Sequence, residues 1–486
     1  MKYTMPSWRS LLVMIALLVA GCVVSGAVQA HEGEDHTHPV IAVQPAEMYA
    51  PTAMPDRIVL TWNGDPRTSQ AVNWRTSVEV TQGIAEIVEA EAGPYFPEKA
   101  VQVMATAEAL KTNLNTAHFH SATFKNLKPG TVYAYRVGDG TNWTEWFQFR
   151  TASAKNEAFS FVYFGDAQNN LRSMWSRVIR EAYRDAPKAA FLLHAGDLIN
   201  TAESDAEWGE WFGAGAWLNA MIPSVPIPGN HEQARGEDGG RRLSHHWRPS
   251  FTLPTNGPDG LEESCYTLVY SNTLVIGMNS NTRQAEQAEW LERVLSENNS
   301  RWVVCTFHHP IYSTGKDRDN AELRALWKPI FDKYKVDLVL TGHDHTYGRT
   351  GLEVPATLSE QAERQAEAGS VAELRAVSTR VGDVNVAAGV QKVDEQTGTV
   401  YVVSVSGPKM YNHQRQDFMK RVAEDTQLYQ IIHIDGDMLR FEARTAIGEL
   451  YDAFELHKRD GKINKLVEIE PEVPEHLRPL EPVAAE

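Results

Sequence analysis

Short runs of alternating apolar and polar residues occupy positions 57–151: Ile58–Trp62, Ala71–Trp74, Ile84–Val88, His118–Phe124, Val132–Val137 and Trp146–Phe149. Alternation with a period of two marks strands that bury one face. Turn-forming sequences separate them, among them Asn63-Gly64-Asp65-Pro66, Lys128-Pro129-Gly130 and Asp139-Gly140. The stretch therefore predicts a β-sandwich of about 100 residues spanning 55–151. It contains no cluster of histidine or carboxylate, and its aromatic residues read as core.

After Asn156 the pattern changes. Fully apolar runs at Phe159–Phe164, Phe191–Leu193, Val225–Ile227, Leu274–Met278, Trp302–Phe307 and Val336–Leu340 alternate with helix-like stretches such as Leu171–Tyr183 and Gln284–Leu295. In the second of these, Ala285, Ala288, Leu291 and Leu295 share one helical face. Strands that are apolar throughout are buried on both faces, which predicts an α/β domain over 156–457. An acidic, Ala-rich, partly helical segment at 352–397 reads as a surface insertion or as a lid bordering the pocket. Strand-like runs resume at Val400–Val405, Ile431–Ile434, Leu439–Ala443 and Ala453–Leu456, and the Pro- and Glu-rich residues 458–486 predict a tail.

The first 30 residues place Lys2 and Arg9 ahead of the apolar run Leu11–Ala20, which is short for a membrane span and reads as an export signal. Two cleavage sites compete. Val28-Gln29-Ala30 suits an ordinary signal peptidase, whereas Val19-Ala20-Gly21-Cys22 resembles a bacterial lipobox in which Cys22 is lipidated. The expected location is periplasmic or extracellular, with the membrane reached only through an anchor at Cys22. Residues 31–54, with His31, His36 and His38, predict a flexible leader. Cys265 and Cys305 then remain and predict buried free thiols.

Charge narrows the function classes. Lys and Arg number 46 against 63 Asp and Glu, a net −17, so the chain is a poor binder of nucleic-acid backbone and a phosphorylated substrate would need local positive charge. Bound metal is one source of it. Hydrophobic residues at 42% and charged residues at 22% exclude wholesale disorder and a polytopic membrane protein.

The strand ends carry the chemistry. Five of the six apolar runs lead into a residue able to hold a metal, Asp166, Asp197, Asn230, His308 or His343, within Gly165-Asp166-Ala167-Gln168, Gly196-Asp197-Leu198-Ile199-Asn200, Gly229-Asn230-His231-Glu232, His308-His309-Pro310 and Gly342-His343-Asp344-His345. Each motif alone is weak. Because ligands gather at the carboxyl ends of strands in open α/β sheets, the set predicts one converging metal site. Glycines before four of these residues allow a sharp backbone turn beside the ion.

These motifs resemble the calcineurin-like metallophosphoesterases, and within them the purple acid phosphatases. The resemblance extends to Glu207-Trp208-Gly209-Glu210-Trp211, to the stretch from Tyr334 to Arg349, to the ending Gly448–Leu456, and to a fibronectin-III-like N-terminal domain. It implies an α/β fold, a calcineurin-like sandwich of two mixed β-sheets flanked by helices, preceded by the fibronectin-III-like β-sandwich. It implies two metal ions drawn from iron, zinc and manganese, bridged by Asp197, with Asp166 and His345 on the first and Asn230, His308 and His343 on the second. The implied activity is acid-phosphatase-like hydrolysis of a small phosphorylated substrate, by in-line attack of activated water without a covalent intermediate. His231 would protonate the leaving oxygen with Glu232 orienting it, and His309 would contact substrate or support a ligand. Tyr347 and Arg349 either face the pocket or pack beneath its loop, and Trp208, Trp211 and Trp217 read as core.

The sequence departs from the family at two positions. Asn200 stands where purple acid phosphatases carry the tyrosine that colours the ferric ion, and Gln168 where other calcineurin-like enzymes carry a histidine. A neutral oxygen of Gln168 or Asn200, or water, would complete the first ion's shell. Loss of an anionic phenolate weakens preference for a trivalent ion, so the expectation is a colourless protein with divalent metals. A phosphodiesterase or nucleotidase with the same centre is the alternative within the enzyme class. A non-catalytic surface-binding protein is the alternative outside it, and the intact donor set argues against that.

Overall fold

The computed structural model describes residues 42–236, 239–354, 398–414 and 416–479. The expected export signal with Cys22, most of the expected leader and nearly all of the expected 352–397 insertion lie outside these residues. In the N-terminal region, strands β1 (Asp56–Thr61), β2 (Ser69–Ser77), β3 (Ile84–Glu89), β4 (Val101–Met104), β5 (Thr106–Lys111), β6 (Thr116–Lys125), β7 (Val132–Gly138) and β8 (Phe147–Arg150) form two antiparallel sheets. Their orders are β1-β2-β6-β5 and β4-β3-β7-β8. Alternate residues of both sheets, including Leu60, Trp74, Phe124, Ile87, Tyr135 and Phe149, fill one shared core. Strands β4 and β5 escape the sequence pattern because they lie on sheet edges with side chains largely exposed, Leu110 excepted. Without a buried face, no alternation is imposed on them.

The remainder contains two seven-stranded sheets. The first is built on parallel β9 (Phe159–Phe164), β10 (Leu192–His194) and β11 (Ser224–Pro226). A short hairpin of β12 (Gln233–Arg235) and β13 (Arg241–Leu243) stands apart. The second sheet collects β14 (Tyr266–Tyr270), β15 (Thr273–Gly277), β16 (Trp302–Thr306), β17 (Leu338–Thr341), β18 (Tyr347–Thr350), β19 (Val400–Val403) and β20 (Met419–Ala423), with β15, β16, β17 and β19 parallel. The first sheet continues antiparallel from β9 through β21 (Leu428–Asp435), β22 (Met438–Thr445), β23 (Leu450–His457) and β24 (Lys465–Ile469).

Burial of both strand faces explains the apolar runs. Along β16, Trp302 and Val304 enter the core shared by the two sheets, whereas Val303 and Cys305 meet Trp290, Leu291, Trp327 and Phe331 of helices Gln284–Ser296 and Ala321–Tyr334. Helices Ser176–Asp185 and Asp205–Gly215 contribute Val178, Ile179, Trp208 and Trp211 to the first core. Trp208 and Trp211 are core as expected, but Trp217 is 46% exposed against Tyr183. Cys265 and Cys305 are free and buried.

The expected tail differs from the reading of its composition. Its residues Lys465–Ile469 form β24 against β23, Glu475 accepts the Val422 N–H, and Arg421 reaches the Val473 carbonyl. Tyr347 donates to Asp452 at 2.6 Å, and Arg349 pairs with Asp452 and Glu468 at 2.8 Å each. Both side chains therefore pack beneath the loop rather than face the pocket. The N-terminal sandwich is fastened to the second region by buried polar contacts: Arg57 to Asp205 at 2.7 Å, the Asn73 side-chain amide to the Pro249 carbonyl at 3.1 Å, and the Tyr135 hydroxyl to the Ala220 carbonyl at 2.6 Å.

Candidate metal centre

Parallel strands β9, β10, β16 and β17 end on the same side, and the loops that follow bring the motif residues together. Asp166 and Asp197 are buried. Asp197 Oδ2 lies 3.1 Å from His308 Nε2, and that nitrogen also lies 3.0 Å from Asn230 Oδ1 and 3.2 Å from His343 Nδ1. A second group adjoins it: His345 Nε2 is 3.1 Å from Asp166 Oδ2, and the Gln168 amide nitrogen donates to Asp197 Oδ2 at 2.8 Å while lying 3.1 Å from His345 Nε2. Two donor triads result, Asp197 with His308 and His343, and Asp166 with Asp197 and His345, each with its ligand atoms within 4.8 Å of one another. Asp197 belongs to both.

The backbone makes this approach close. Asp197, His343 and His345 adopt positive φ values of 52°, 76° and 48°, a left-handed conformation that L-residues occupy at a cost and that recurs at functional sites. A Cβ on Gly229 would stand 2.1 Å from Asp197 Oδ1, and one on Gly342 2.1 Å from Asp166 Oδ1. Glycine at these positions lets each carboxylate accept a backbone N–H, that of His231 at 2.8 Å and that of His343 at 2.6 Å.

The hydrogen-bond pattern fits cations. His308 turns Nδ1 to the Ala195 carbonyl at 2.9 Å and His345 turns Nδ1 to the Lys409 carbonyl at 2.7 Å, so carbonyl acceptors fix the tautomers that leave Nε2 for a ligand. Among the described residues neither Asp166 nor Asp197 pairs with a lysine or arginine, and the Gln168 amide oxygen is buried without a partner. Burial opposes charge on His308, yet Asp197 and Asp166 overcome it and raise its pKa to about 10. The group is short of positive charge, which two bound cations would supply.

The other predicted residues lie at the margin. His231 is fixed by its Nδ1, which donates to the Asn200 carbonyl at 2.5 Å, and its Nε2 lies 4.0 Å from Asp197 Oδ2 with the side chain 27% exposed. Among the described residues no hydrogen bond joins Glu232 to the His231 ring. Glu232 is buried and accepts the backbone N–H groups of Gly229, Asp197, Leu198 and Ile199 at 2.7–3.3 Å, so it shapes the Asp197 loop instead. Burial and the Asp197 charge push its pKa up to about 8 against those donors. His309 stands outside both triads, with Nδ1 2.8 Å from Ser280 Oγ and its ring 4.3 Å from that of His343. Burial, then the neighbouring His308, lowers its pKa to about 3. The Asn200 amide nitrogen reaches Thr201 Oγ1 at 3.4 Å, while Gln168 sits between the two carboxylates.

Several neighbours carry no sequence signal. Tyr411 packs 4.5 Å from the His345 ring, and the Arg318 guanidinium and Lys409 ammonium lie 4.7 and 5.5 Å from the Tyr411 ring centroid. Arg318 also donates to the His343 carbonyl at 3.1 Å. These residues come from loops distant in sequence, and nothing near them repeats a motif.

Comparison with known proteins agrees with this geometry. Residues 55–151 match the purple acid phosphatase N-terminal domain, and residues 159–347 match the calcineurin-like phosphoesterase family. An uncharacterized protein of Mycobacterium tuberculosis is 29% identical over 341 residues, 60% of this chain and 61% of that protein, so the chain spans less than two thirds of that relative's length. Acid phosphatase type 7 of Homo sapiens is 26% identical over 329 residues, 62% of this chain and 72% of its own. Among solved structures, purple acid phosphatase PPD1 from yellow lupin seeds shares the fold with a TM-score of 0.65 at 16% identity, covering 84% of this chain and 75% of its own.

Proposed function

Because the chain belongs to the calcineurin-like phosphoesterases and carries the N-terminal domain of purple acid phosphatases, we propose that it hydrolyses phosphate monoesters at a pair of metal ions. The observation that carries this reading is the pair of donor triads sharing Asp197. Asp166, Asp197 and His345 would hold one ion, with the Gln168 amide beside it. Asp197, Asn230, His308 and His343 would hold the other. Such a pair, when bound, neutralises charge on the phosphoryl oxygens and lets water ionise near neutral pH.

The chain's own residues supply the rest. His231, fixed through Nδ1, offers Nε2 at the edge of the donor group and protonates the leaving oxygen. Arg318 and Lys409 set positive charge beside the site in a chain of net charge −17, which favours an anionic substrate. With Asn200 in place of a phenolate ligand, the ions are divalent, from iron, zinc or manganese, and the protein is colourless. Read as an export signal, the first 30 residues would carry it to the periplasm or outside the cell, either free or anchored at Cys22.

The test combines metal analysis and a visible spectrum of the purified protein with a substrate panel. Two equivalents of metal, no visible charge-transfer band, and faster hydrolysis of an aryl phosphomonoester than of the matching diester are expected. The reverse preference would make it a phosphodiesterase. Undiminished physiological activity in a metal-free His308→Ala variant would instead favour a binding protein.

A further inference from the structure

The loop after β10 is held by two carboxylates that divide its backbone between them. Glu232 takes the N–H groups of Asp197, Leu198 and Ile199, and Glu207 takes those of the next two residues, Asn200 and Thr201, both at 2.7 Å. Glu207 is the third residue of helix Asp205–Gly215, whose N-cap is Ser204. A glutamate at that place ordinarily folds back on the N-cap backbone. Here it reaches outward to a loop beside the metal donors.

The Thr201 N–H and the Asn200 carbonyl belong to one peptide unit. A trans peptide points its N–H and its C=O in opposite directions within a plane, and none of the described peptide bonds is cis. Glu207 therefore grips one end of this unit, and the other end receives the Nδ1–H of His231 at 2.5 Å. A carboxylate accepting the N–H also makes the attached carbonyl a stronger acceptor, since hydrogen bonds in a chain polarise one another.

We infer that Glu207 is a positioning residue for His231, holding its ring through the Asn200–Thr201 peptide so that the Nδ1–H stays on the Asn200 carbonyl while the imidazolium presents its Nε2–H to the leaving group. The relation resembles a carboxylate that orients a catalytic histidine directly, with one peptide unit interposed. It rests on the phosphatase reading given above.

The experiment compares the wild type with Glu207→Ala, Glu207→Asp and Glu207→Gln on two monoesters, one with a good aryl leaving group and one with a poor alkyl leaving group. A misplaced acid hurts the poor leaving group most, because only that reaction depends strongly on protonation. Glu207→Ala should lower kcat for the alkyl ester by on the order of tenfold more than for the aryl ester, with unchanged metal content. Glu207→Asp, which withdraws the oxygen by one methylene, should shift the ratio the same way and serves if the alanine variant does not fold. Glu207→Gln keeps an acceptor oxygen and should restore most of the ratio. Ser204→Ala, which removes only the cap of the same helix, should leave the ratio alone. A second readout avoids turnover altogether: in metal-free protein labelled with 15N-histidine and brought to alkaline pH, where the ring is neutral, His231 should be the Nδ1–H tautomer in the wild type and a mixture in the alanine or aspartate variant. An unmoved substrate ratio, or an unmoved tautomer, in both variants overturns the inference. A wild type that hydrolyses neither ester refutes the phosphatase reading instead, and the tautomer measurement still decides whether Glu207 holds the ring.

Discussion

Replacing His194 by leucine should make the folded protein markedly less sensitive to acid. His194 closes β10 and is buried among Phe164, Trp175 and Trp211, with ring centroids 5.4, 6.2 and 5.4 Å away. Neither ring nitrogen has a hydrogen-bond partner among the described residues. Burial lowers its pKa from 6.5 to about 3, because an imidazolium there would exchange water for aromatic faces and hydrocarbon. In the unfolded chain the ring takes up a proton near pH 6.5, while in the folded chain it stays neutral. The unfolded state thus binds more protons between these two values, and stability falls as pH falls through that window. The slope is about 1.4 kcal/mol per pH unit. From pH 7 to pH 5 this one ring should remove about 2 kcal/mol, a sizeable part of a domain's net stability of about 5–15 kcal/mol. Urea unfolding of metal-free wild type and His194→Leu, followed by the fluorescence of the flanking tryptophans at pH 5, 6 and 7, measures it. Ionisations elsewhere, those of the metal donors included, are common to both proteins and cancel in the difference. Stability curves that run parallel over this range would refute the reasoning.

Three further outcomes follow from the site and its supports. His308→Ala removes a donor from one triad but leaves Asp166, Asp197 and His345, so metal analysis should find about one ion retained, with kcat lowered at least a hundredfold. Arg349→Met leaves Asp452 buried beside the Tyr347 hydroxyl without its cation; denaturant unfolding should show a loss of about 3–5 kcal/mol. Lys409→Met removes an ammonium that lies 5.5 Å from the Tyr411 ring centroid, beside His345. KM for an anionic substrate should rise severalfold at low salt with kcat little changed, and the difference should shrink as ionic strength screens the charge.

Much of the donor set could be read along the chain because its placement is a local property. Each of Asp166, Asp197, Asn230, His308 and His343 follows an apolar strand, and the parallel order of β9, β10, β16 and β17 delivers their ends to one side. Gln168 was also readable, as a polar residue two positions past the first aspartate, and it lies between the carboxylates. Other residues gave no such signal. Glu207 lies in a stretch that the resemblance includes, but its hold on the Asn200–Thr201 backbone depends on a loop that folds back over the first turn of its helix. Lys409 and Tyr411 meet the site only because the strands on either side of the His345 loop, β17 and β18, both pair with β19, far along the chain. Edge strands β4 and β5 and the docked strand β24 were hidden because exposed strands need not alternate, and a Pro- and Glu-rich composition reports average polarity rather than partners.

The amino-acid order alone determined which residues end the buried strands, and hence which atoms can donate to a cation, since strand burial and turn chemistry act over a few neighbouring positions. Only the folded chain decided which carboxylate belongs to both donor triads, which peptide holds the His231 ring and which cations border the opening. Those relations join residues dozens to hundreds of positions apart, and the hydrogen bonds that define them exist only after the two sheets have packed.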